Sequence, residues 1–462
     1  MKKIITLLVA YLCLSVSTRA QAQDAPITEQ VTLHVATAGT LQDMIDPSLR
    51  PLITNLKLTG ELNGDDLLMI REMAGADGYG NPTQGYALET LDISEVTIVR
   101  GGSFYVVVYR VILGRTFQFV YSTGRYDRYN IDGLGSSWGD NYGLDYLFYQ
   151  CKNIKDVKLP DYFEEERTQY ANGTFIGCTS LTSIELPESV TMLSDAFIGC
   201  TSLTTIDLPE SVSYLDGTFE GCTSLKTIDL SKSVEHLYLR GTFKGCTSLT
   251  QIILPESVKY LDSTFEGCTS LTQIILPKSV EHLYGTFIGC TSLNTIDLPK
   301  SVKYLDGTFI GCTSLKTIDL PIGVEHLDST FKGCTSLNSV NIRELSGNAL
   351  YLGDTFKDCP NLRTIRFFSS IPPIPSEFPE LSDNVIIYVP KGSYTSYWVT
   401  GWGNYNLVEF DAVGIDTPMR TNKAGVPKYY SIEGKLLTSP QLGVNIVRKA
   451  DGTTKKVFIQ RP

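Results

Sequence analysis

Little in this sequence supplies the usual material of catalysis. Four histidines, three tryptophans and six methionines are spread over 462 residues. There is no HExxH, no phosphate-cradling GxxxxGK[ST], and no CxxC pair that could start a zinc site. After residue 16 no unbroken apolar run approaches the roughly 18 residues of a membrane helix, so nothing further along is expected to span a bilayer. Basic residues are also short, 39 against 50 acidic ones, a net charge of -11 that disfavours nucleic acid as a partner.

The first residues have the build of an export signal. Lys2 and Lys3 precede the apolar run 4–16, and small residues stand at Ala20 and Ala22 around the expected cut. A lipoprotein cut before Cys13 is the alternative, but it would put Ala10 and Leu12 where small residues are needed, and Leu12 is not small. Losing Lys2, Lys3 and Arg19 leaves 36 basic and 50 acidic residues, a net charge of -14. Residues 411–462 hold nine Lys or Arg against four Asp or Glu, net +5, so the body before them stands near -19. By charge alone the tail is a separate module.

What the chain has in abundance is one phrase. Cys151, Cys178, Cys200, Cys222, Cys246, Cys268, Cys290, Cys312, Cys334 and Cys359 mark ten copies at a dominant spacing of 22 residues, the signature of a solenoid. Counted from each cysteine, an apolar residue recurs three positions before (Phe219, Phe265) and at plus three, six and eight (Leu225, Ile228, Leu230). In the copies from Cys178 to Cys312, Val and Leu return at plus twelve and fifteen. The I-x-L spacing has period two and is usually stopped by proline, as at Pro209 and Pro255, which predicts a short strand. Strands at this period must stack in parallel about 4.8 Å apart. Seven apolar side chains cannot offset the ordering of 22 residues, so one copy is unstable until a neighbour covers its faces, and the two open ends need caps.

The stretch "AFIGCTSLTTIDLPESVSYLDGTF" resembles the BspA-like, treponemal-type leucine-rich repeat, whose pattern is A-F-x-x-C-x-x-L-x-x-I-x-L-P. Most copies carry Thr, as at Thr218, where that family prefers Ala. The resemblance implies an α/β leucine-rich-repeat solenoid with a parallel concave sheet, in exported bacterial proteins that bind other macromolecules. An α/β amino-terminal cap is expected from "ITNLKLTG" (53–60), "LETLDIS" (88–94) and, between them, a helix capped by Asn63. Residues 385–410 are similar to the closing segment of such arrays. The tail is similar to the small carboxy-terminal β module of many exported Bacteroidetes proteins, which implies sorting or anchoring, with turns at Glu433-Gly434 and Asp451-Gly452. The expected division is a signal peptide at 1–22, an amino-terminal cap at 23–100, an aromatic-rich insertion at 101–145, the array at 146–368, a carboxy-terminal cap at 369–410 and the basic β module at 411–462.

Eleven cysteines in an exported chain first suggest disulfides. The ten repeat cysteines share one inward position with parallel Cβ vectors, whereas a disulfide needs the Cβ atoms turned toward each other. A buried ladder of free thiols is expected. His236, His282 and His326 are counted at one repeat position two copies apart, about 10 Å by strand spacing, too far to share one metal ion. Tyr260 and Tyr304 fall between them, beside alternating Glu235, Lys259, Glu281, Lys303 and Glu325, which predicts a surface ladder left by a 44-residue duplication.

Apolar positions are fixed by stacking, so recognition must be written at the outward ones. The residue seven after each cysteine reads Lys158, Glu185, Asp207, Asp229, Ile253, Ile275, Asp297, Asp319, Asn341, Arg366, an acidic ribbon with one apolar pair. Gln251 and Gln273 accompany that pair where other copies have Thr. Ile253, Ile275, Gln251 and Gln273 are the expected anchor for a protein partner, with Asp207, Asp229, Asp297 and Asp319 as its rim. The alternatives are that β-branched residues merely suit a strand, and that facing acidic rows hold calcium. A second candidate is the insertion, where Tyr126, Tyr129, Trp138 and Tyr142 sit among Gly, Asp and Asn and could stack a glycan or anchor a protein, or simply plaster a cap to the first copies. The expectation is a monomeric, secreted or cell-surface binding protein, adhesin-like, without cofactor, resident metal or catalytic residues. Its partner is an extracellular protein or glycan; a purely structural surface protein is the remaining reading.

Overall fold

The computed structural model describes residues 25–411, apart from breaks at 113–114, 124, 131–135, 140–143, 164–165, 168–169, 233–237, 344 and 346–351, together with four strands of the tail. The leader expected at 1–22 lies outside the described residues. The chain forms two compact units, residues 1–258 with 263–271, and residues 259–262 with 272–462.

The first unit opens with β1 (Val31–Val35) and β2 (Asn55–Leu62). The helix Gly64–Met73 follows, then β3 (Thr90–Ile98). Asn63 caps that helix, accepting from the Asp65 N–H, while Asp66 reaches back to the Asn63 N–H, so a reciprocal pair satisfies two orphan donors. The insertion folds on itself as an antiparallel sheet of β4 (Val106–Ile112), β5 (Arg115–Ser122), β6 (Arg125–Asn130) and β7 (Ser136–Gly139). The sequence of 103–113 and 116–122 reads as a hairpin, and the sheet has two strands more. Next come β8 (Asp156–Lys158), β9 (Tyr162–Phe163), β10 (Glu166–Arg167) and β11 (Ser183–Glu185). β1, β2, β3, β8 and β11 pair in that order, all parallel, so the worn copies of the cap continue the sheet of the array. Farther along, β12 (Thr227–Asp229) pairs in parallel with β13 (Gln251–Ile253).

In the second unit β14 (Thr317–Leu320), β15 (Ser339–Ile342), β16 (Thr364–Phe367), β17 (Ile386–Pro390) and β18 (Asn406–Phe410) form one parallel sheet in chain order. The tail forms an antiparallel sheet of β19 (Lys428–Tyr430), β20 (Leu436–Leu437), β21 (Gly443–Arg448) and β22 (Thr454–Ile459). The segments 205–207, 273–275 and 295–297 occupy the same repeat position without forming strands.

Each coil is held to its neighbour by three columns of buried side chains. Phenylalanine rings stack face to face at 5.3 to 5.8 Å, from Phe148 to Phe265 in the first unit and from Phe287 to Phe356 in the second. The ten repeat cysteines are buried and outside any disulfide. Beyond Cys151, which donates to the Arg71 carbonyl, thiols donate to the phenylalanine carbonyl of the preceding coil, as Cys222 to Phe197 and Cys268 to Phe243 at 3.1 and 3.2 Å. Burial holds the thiols of Cys178, Cys200, Cys222 and Cys312 well above the ordinary range, and pushes Cys151 up to about 11 and Cys246 to about 12. The threonine column, Thr218, Thr242, Thr264, Thr286, Thr308 and Thr330 among others, is fully buried. Each hydroxyl donates to a leucine carbonyl one coil back, Thr264 to Leu239 and Thr308 to Leu283 at 2.8 and 2.6 Å. Where the repeat prefers Ala, this chain therefore gains a buried hydrogen bond per coil.

The other end of each coil carries a second ladder of isolated bridges. It runs Tyr170, Met192, Tyr214, Tyr238 in the first unit and Tyr260, His282, Tyr304, His326 in the second. This corrects the histidine register: Tyr238, not His236, is the partner of Tyr214. The copy that starts at Cys222 has 24 residues rather than 22, and the extra pair displaces the count before Tyr238 is reached. The core leucine of that coil is likewise Leu239. His236 itself lies outside the described residues.

Candidate functional site

The strand registers settle which residues share the outward face. In the first unit Lys158 stands opposite Glu185, and Thr227 and Asp229 opposite Gln251 and Ile253. Lys158 and Glu185 form an ion pair at 2.9 Å. Asp207 is exposed. Asp229 accepts the Ser231 N–H at 2.8 Å, and its bonding to Ser231 holds its carboxyl below the usual range. Gln251 is exposed, and Ile253 is 46% exposed although Ile252 beside it is buried. The alternation of the pleat, not chance disorder, turns Ile253 outward.

In the second unit Gln273 and Asp297 are exposed, and Ile275 is 90% exposed. Farther along, Asp319, Asn341, Arg366 and Tyr388 stand in register on successive strands. The Asn341 amide donates to Asp319, and Arg366 donates to Ser339 Oγ at 3.3 Å and lies 5.2 Å over the Tyr388 ring. Asp319 is therefore tied into a polar network, while Ile275 meets water with almost its whole side chain. Gln251 and Ile253 belong to the first unit, Gln273 and Ile275 to the second.

Other carboxylates have structural work. Asp216 accepts the Arg240 N–H, Asp262 the Tyr284 N–H and Asp306 the Asp328 N–H, at 3.0, 3.3 and 2.8 Å, each one coil onward. Burial raises Asp216, and it pushes Asp145, which accepts the Asn172 N–H, to about 6. This column went unnoticed in the sequence because its members vary among Asp, Asn, Ser, Arg and Tyr. On the second ladder of the second unit the rings stack, Tyr260 on His282 at 4.6 Å and His282 on Tyr304 at 4.2 Å. His326 lies 5.0 Å from Tyr304 and 3.2 Å from the Asp306 carboxylate. Lys259 pairs with Glu281 and Lys303 with Glu325, at 3.9 and 3.6 Å. Among the described residues no group of three His, Cys, Asp or Glu side chains is gathered closely enough to hold a metal ion.

Of the aromatic candidates, Tyr126 and Tyr129 fall on β6 and Trp138 on β7, with side chains outside the described residues, and Tyr142 lies outside them altogether. Residues 135–139 spell G-S-S-W-G, the G-x-S-x-G spacing of a nucleophile elbow. Ser136–Gly139 is an antiparallel strand paired with β6, not the strand-to-helix turn that chemistry needs. No helix among the described residues is long and apolar enough to cross a membrane.

A family model described as the BspA type leucine rich repeat region matches residues 144–264 and 262–378. Among solved structures, a leucine-rich repeat protein from Bacteroides ovatus is 25% identical, covering 63% of this chain and 79% of its own, with a TM-score of 0.41. The leucine rich repeat protein of T. pallidum is 25% identical over 48% of this chain and 79% of its own, TM-score 0.26. A leucine rich cell surface protein from Faecalibacterium prausnitzii is 24% identical over 48% of this chain and 75% of its own, TM-score 0.28. No curated protein matches the chain.

Proposed function

Because the chain belongs to the BspA-type leucine-rich repeat family, we propose that it is an exported, secreted or surface-associated binding protein that captures a protein partner, adhesin-like, through outward strand positions. One observation carries this reading. Ile275 is 90% exposed at a repeat position where four other coils have Asp and only Ile253 is also apolar. Sheet propensity rewards a β-branched residue only modestly, and a fully wetted isoleucine forgoes the burial that would repay it. Ile253, Gln251 and Gln273 supply the rest of the anchor, and Asp207, Asp229, Asp297 and Asp319 the polar rim that orients and screens partners.

The test is a pull-down of extracellular proteins with residues 23–462 and with an Ile253→Asp, Ile275→Asp variant. Both positions face water, so the variant should keep its circular dichroism and melting temperature. Capture should fall at least about tenfold, the loss expected of central anchors. Equal capture by the variant would remove these residues from the site. A glycan array run in parallel asks whether the insertion at 101–145 supplies binding instead.

A further inference from the structure

The outward row of the first unit changes character partway along its sheet. Strand registers line up Lys57 of β2, Asp92 of β3, Lys158 of β8 and Glu185 of β11, so charge alternates from strand to strand. The pairs close: Lys57 stands 3.4 Å from Asp92, and Lys158 stands 2.9 Å from Glu185. Opposite charges on neighbouring strands add stability and like charges subtract it, so this part of the row neutralises itself. Beyond Glu185 the alternation stops. The same repeat position holds Asp207 and then Asp229 on consecutive coils, followed by Ile253, and all three are exposed. Asp229 bonds to Ser231, with Lys232 acting on it from beyond ion-pair distance. Asp207 takes no ion pair or hydrogen bond among the described residues. Around them the exposed strand and turn residues are Glu188, Glu210 and Glu256 against Lys226 and Lys232, so the surroundings do not cancel the two aspartates. A row that balances its charge over four strands and then sets two carboxylates in succession breaks its own rule where Ile253 is turned outward.

We propose that this part of the sheet face receives a basic segment of the captured protein, with lysine or arginine side chains meeting Asp207 and Asp229 and an aliphatic one covering Ile253. The inference rests on the protein-capture reading of the same face and names the chemistry of what is captured. Charge complementarity selects the occupant. An acidic segment would be repelled, and a neutral one would cover both carboxylates without giving them a counter-charge. A calcium ion fits less well, because it takes about six to eight oxygens, and no group of three acidic side chains is gathered among the described residues. The balanced strands before Asp207 offer a basic segment nothing comparable, which confines it to one stretch of the row.

Peptide binding to residues 23–462 tests this, read by fluorescence anisotropy. The probe is a synthetic peptide of alternating lysine and leucine, and its counterpart carries glutamate for lysine. Asp207→Asn with Asp229→Asn keeps an oxygen for the Ser231 N–H and should weaken binding of the lysine peptide about tenfold. Glu29→Gln with Glu380→Gln, the same change of charge at exposed positions off this row, should leave it within about twofold. Asp207→Lys with Asp229→Lys should exchange the preference and bind the glutamate peptide. Equal losses in the two neutralised variants would reduce the effect to net charge and overturn the proposal. So would no binding by the unaltered chain, an unchanged preference after charge reversal, or calcium binding that Asp207→Asn with Asp229→Asn abolishes. In the pull-down, full capture by the Ile253→Asp, Ile275→Asp variant sinks the capture reading itself. Capture lost there but kept by Asp207→Asn with Asp229→Asn leaves the face a capture site and removes only its basic ligand.

Discussion

At the scale of single residues, the repeat tolerates what its backbone allows. From Phe175 to Phe331 the residue two before each core phenylalanine adopts positive φ, and five of these eight coils place glycine there, such as Gly217 and Gly307 at +63°. Ser263 and Ser329 occupy it at +53° and +54°. A side chain in the left-handed region costs about 1–2 kcal/mol, so Ser263→Gly and Ser329→Gly should each stabilise the fold by up to about 1 kcal/mol after the entropy that glycine regains when unfolded. Thermal or urea denaturation measures it. Asp145 gives a pH signature. Its folded value, about 6, lies above the ordinary 3.8, so both states are protonated at low pH and the acid is harmless. As pH rises through this window the unfolded chain releases the proton first, and stability falls. Asp145→Asn keeps an oxygen for the Asn172 N–H and removes the ionisation, so it should gain about 2 kcal/mol above pH 6 and little near pH 4. Denaturation at the two pH values shows whether the gain follows proton release. None of these three residues stood out in the sequence, since depth and φ belong to the folded coil.

At the scale of elements, the pattern of buried residues was legible because stacking repeats it: the columns of Phe219 and Leu225 are in the core throughout, and those of Ile228 and Leu230 are buried apart from the half-buried Ile184, Leu208 and Leu298. The hydroxyl column was visible as a departure from the repeat but its role was not, for a threonine looks like a tolerated alanine until its carbonyl partner one coil away is known. Thr286→Val keeps the volume and deletes the donor to Leu261, 2.8 Å away. It should cost about 1–2 kcal/mol, and Thr286→Ser should cost clearly less. Equal losses in the melting of the two variants would show that packing, not the bond, sets the preference. Where strands pair, plus seven was read in the right register, Lys158 opposite Glu185, Asp229 opposite Ile253, and Asp319, Asn341 and Arg366 in line, because that position lies close after the cysteine. The second ladder lies far enough along the coil for a two-residue length change to spoil the count, which is how His236 was mistaken for the position that Tyr238 holds.

At the scale of the molecule, the array is a stack whose stability is close to a sum of coils and of contacts between neighbours. The period of those contacts is two coils, not one. In the second unit a Lys-Tyr coil is followed by a Glu-His coil, with Lys259 on Glu281 and Lys303 on Glu325. Removing residues 291–312 joins Cys290 to Thr313 in register but lays Glu281 beside Glu325 and His282 beside His326. Removing residues 291–334 also joins in register, and it returns the Glu281 coil to the neighbour that the Glu325 coil has now. These pairs are exposed and individually worth about 0.2–1 kcal/mol, and a like-charged pair costs a similar amount. The single-coil deletion should therefore lose more stability per residue removed than the double one, by about 1 kcal/mol, and the difference should shrink in high salt. Urea denaturation of both chains at two salt concentrations decides it. Losses that simply double from one coil to two would mean that each coil is an independent unit and that the alternation of charge and ring is only the trace of a duplication.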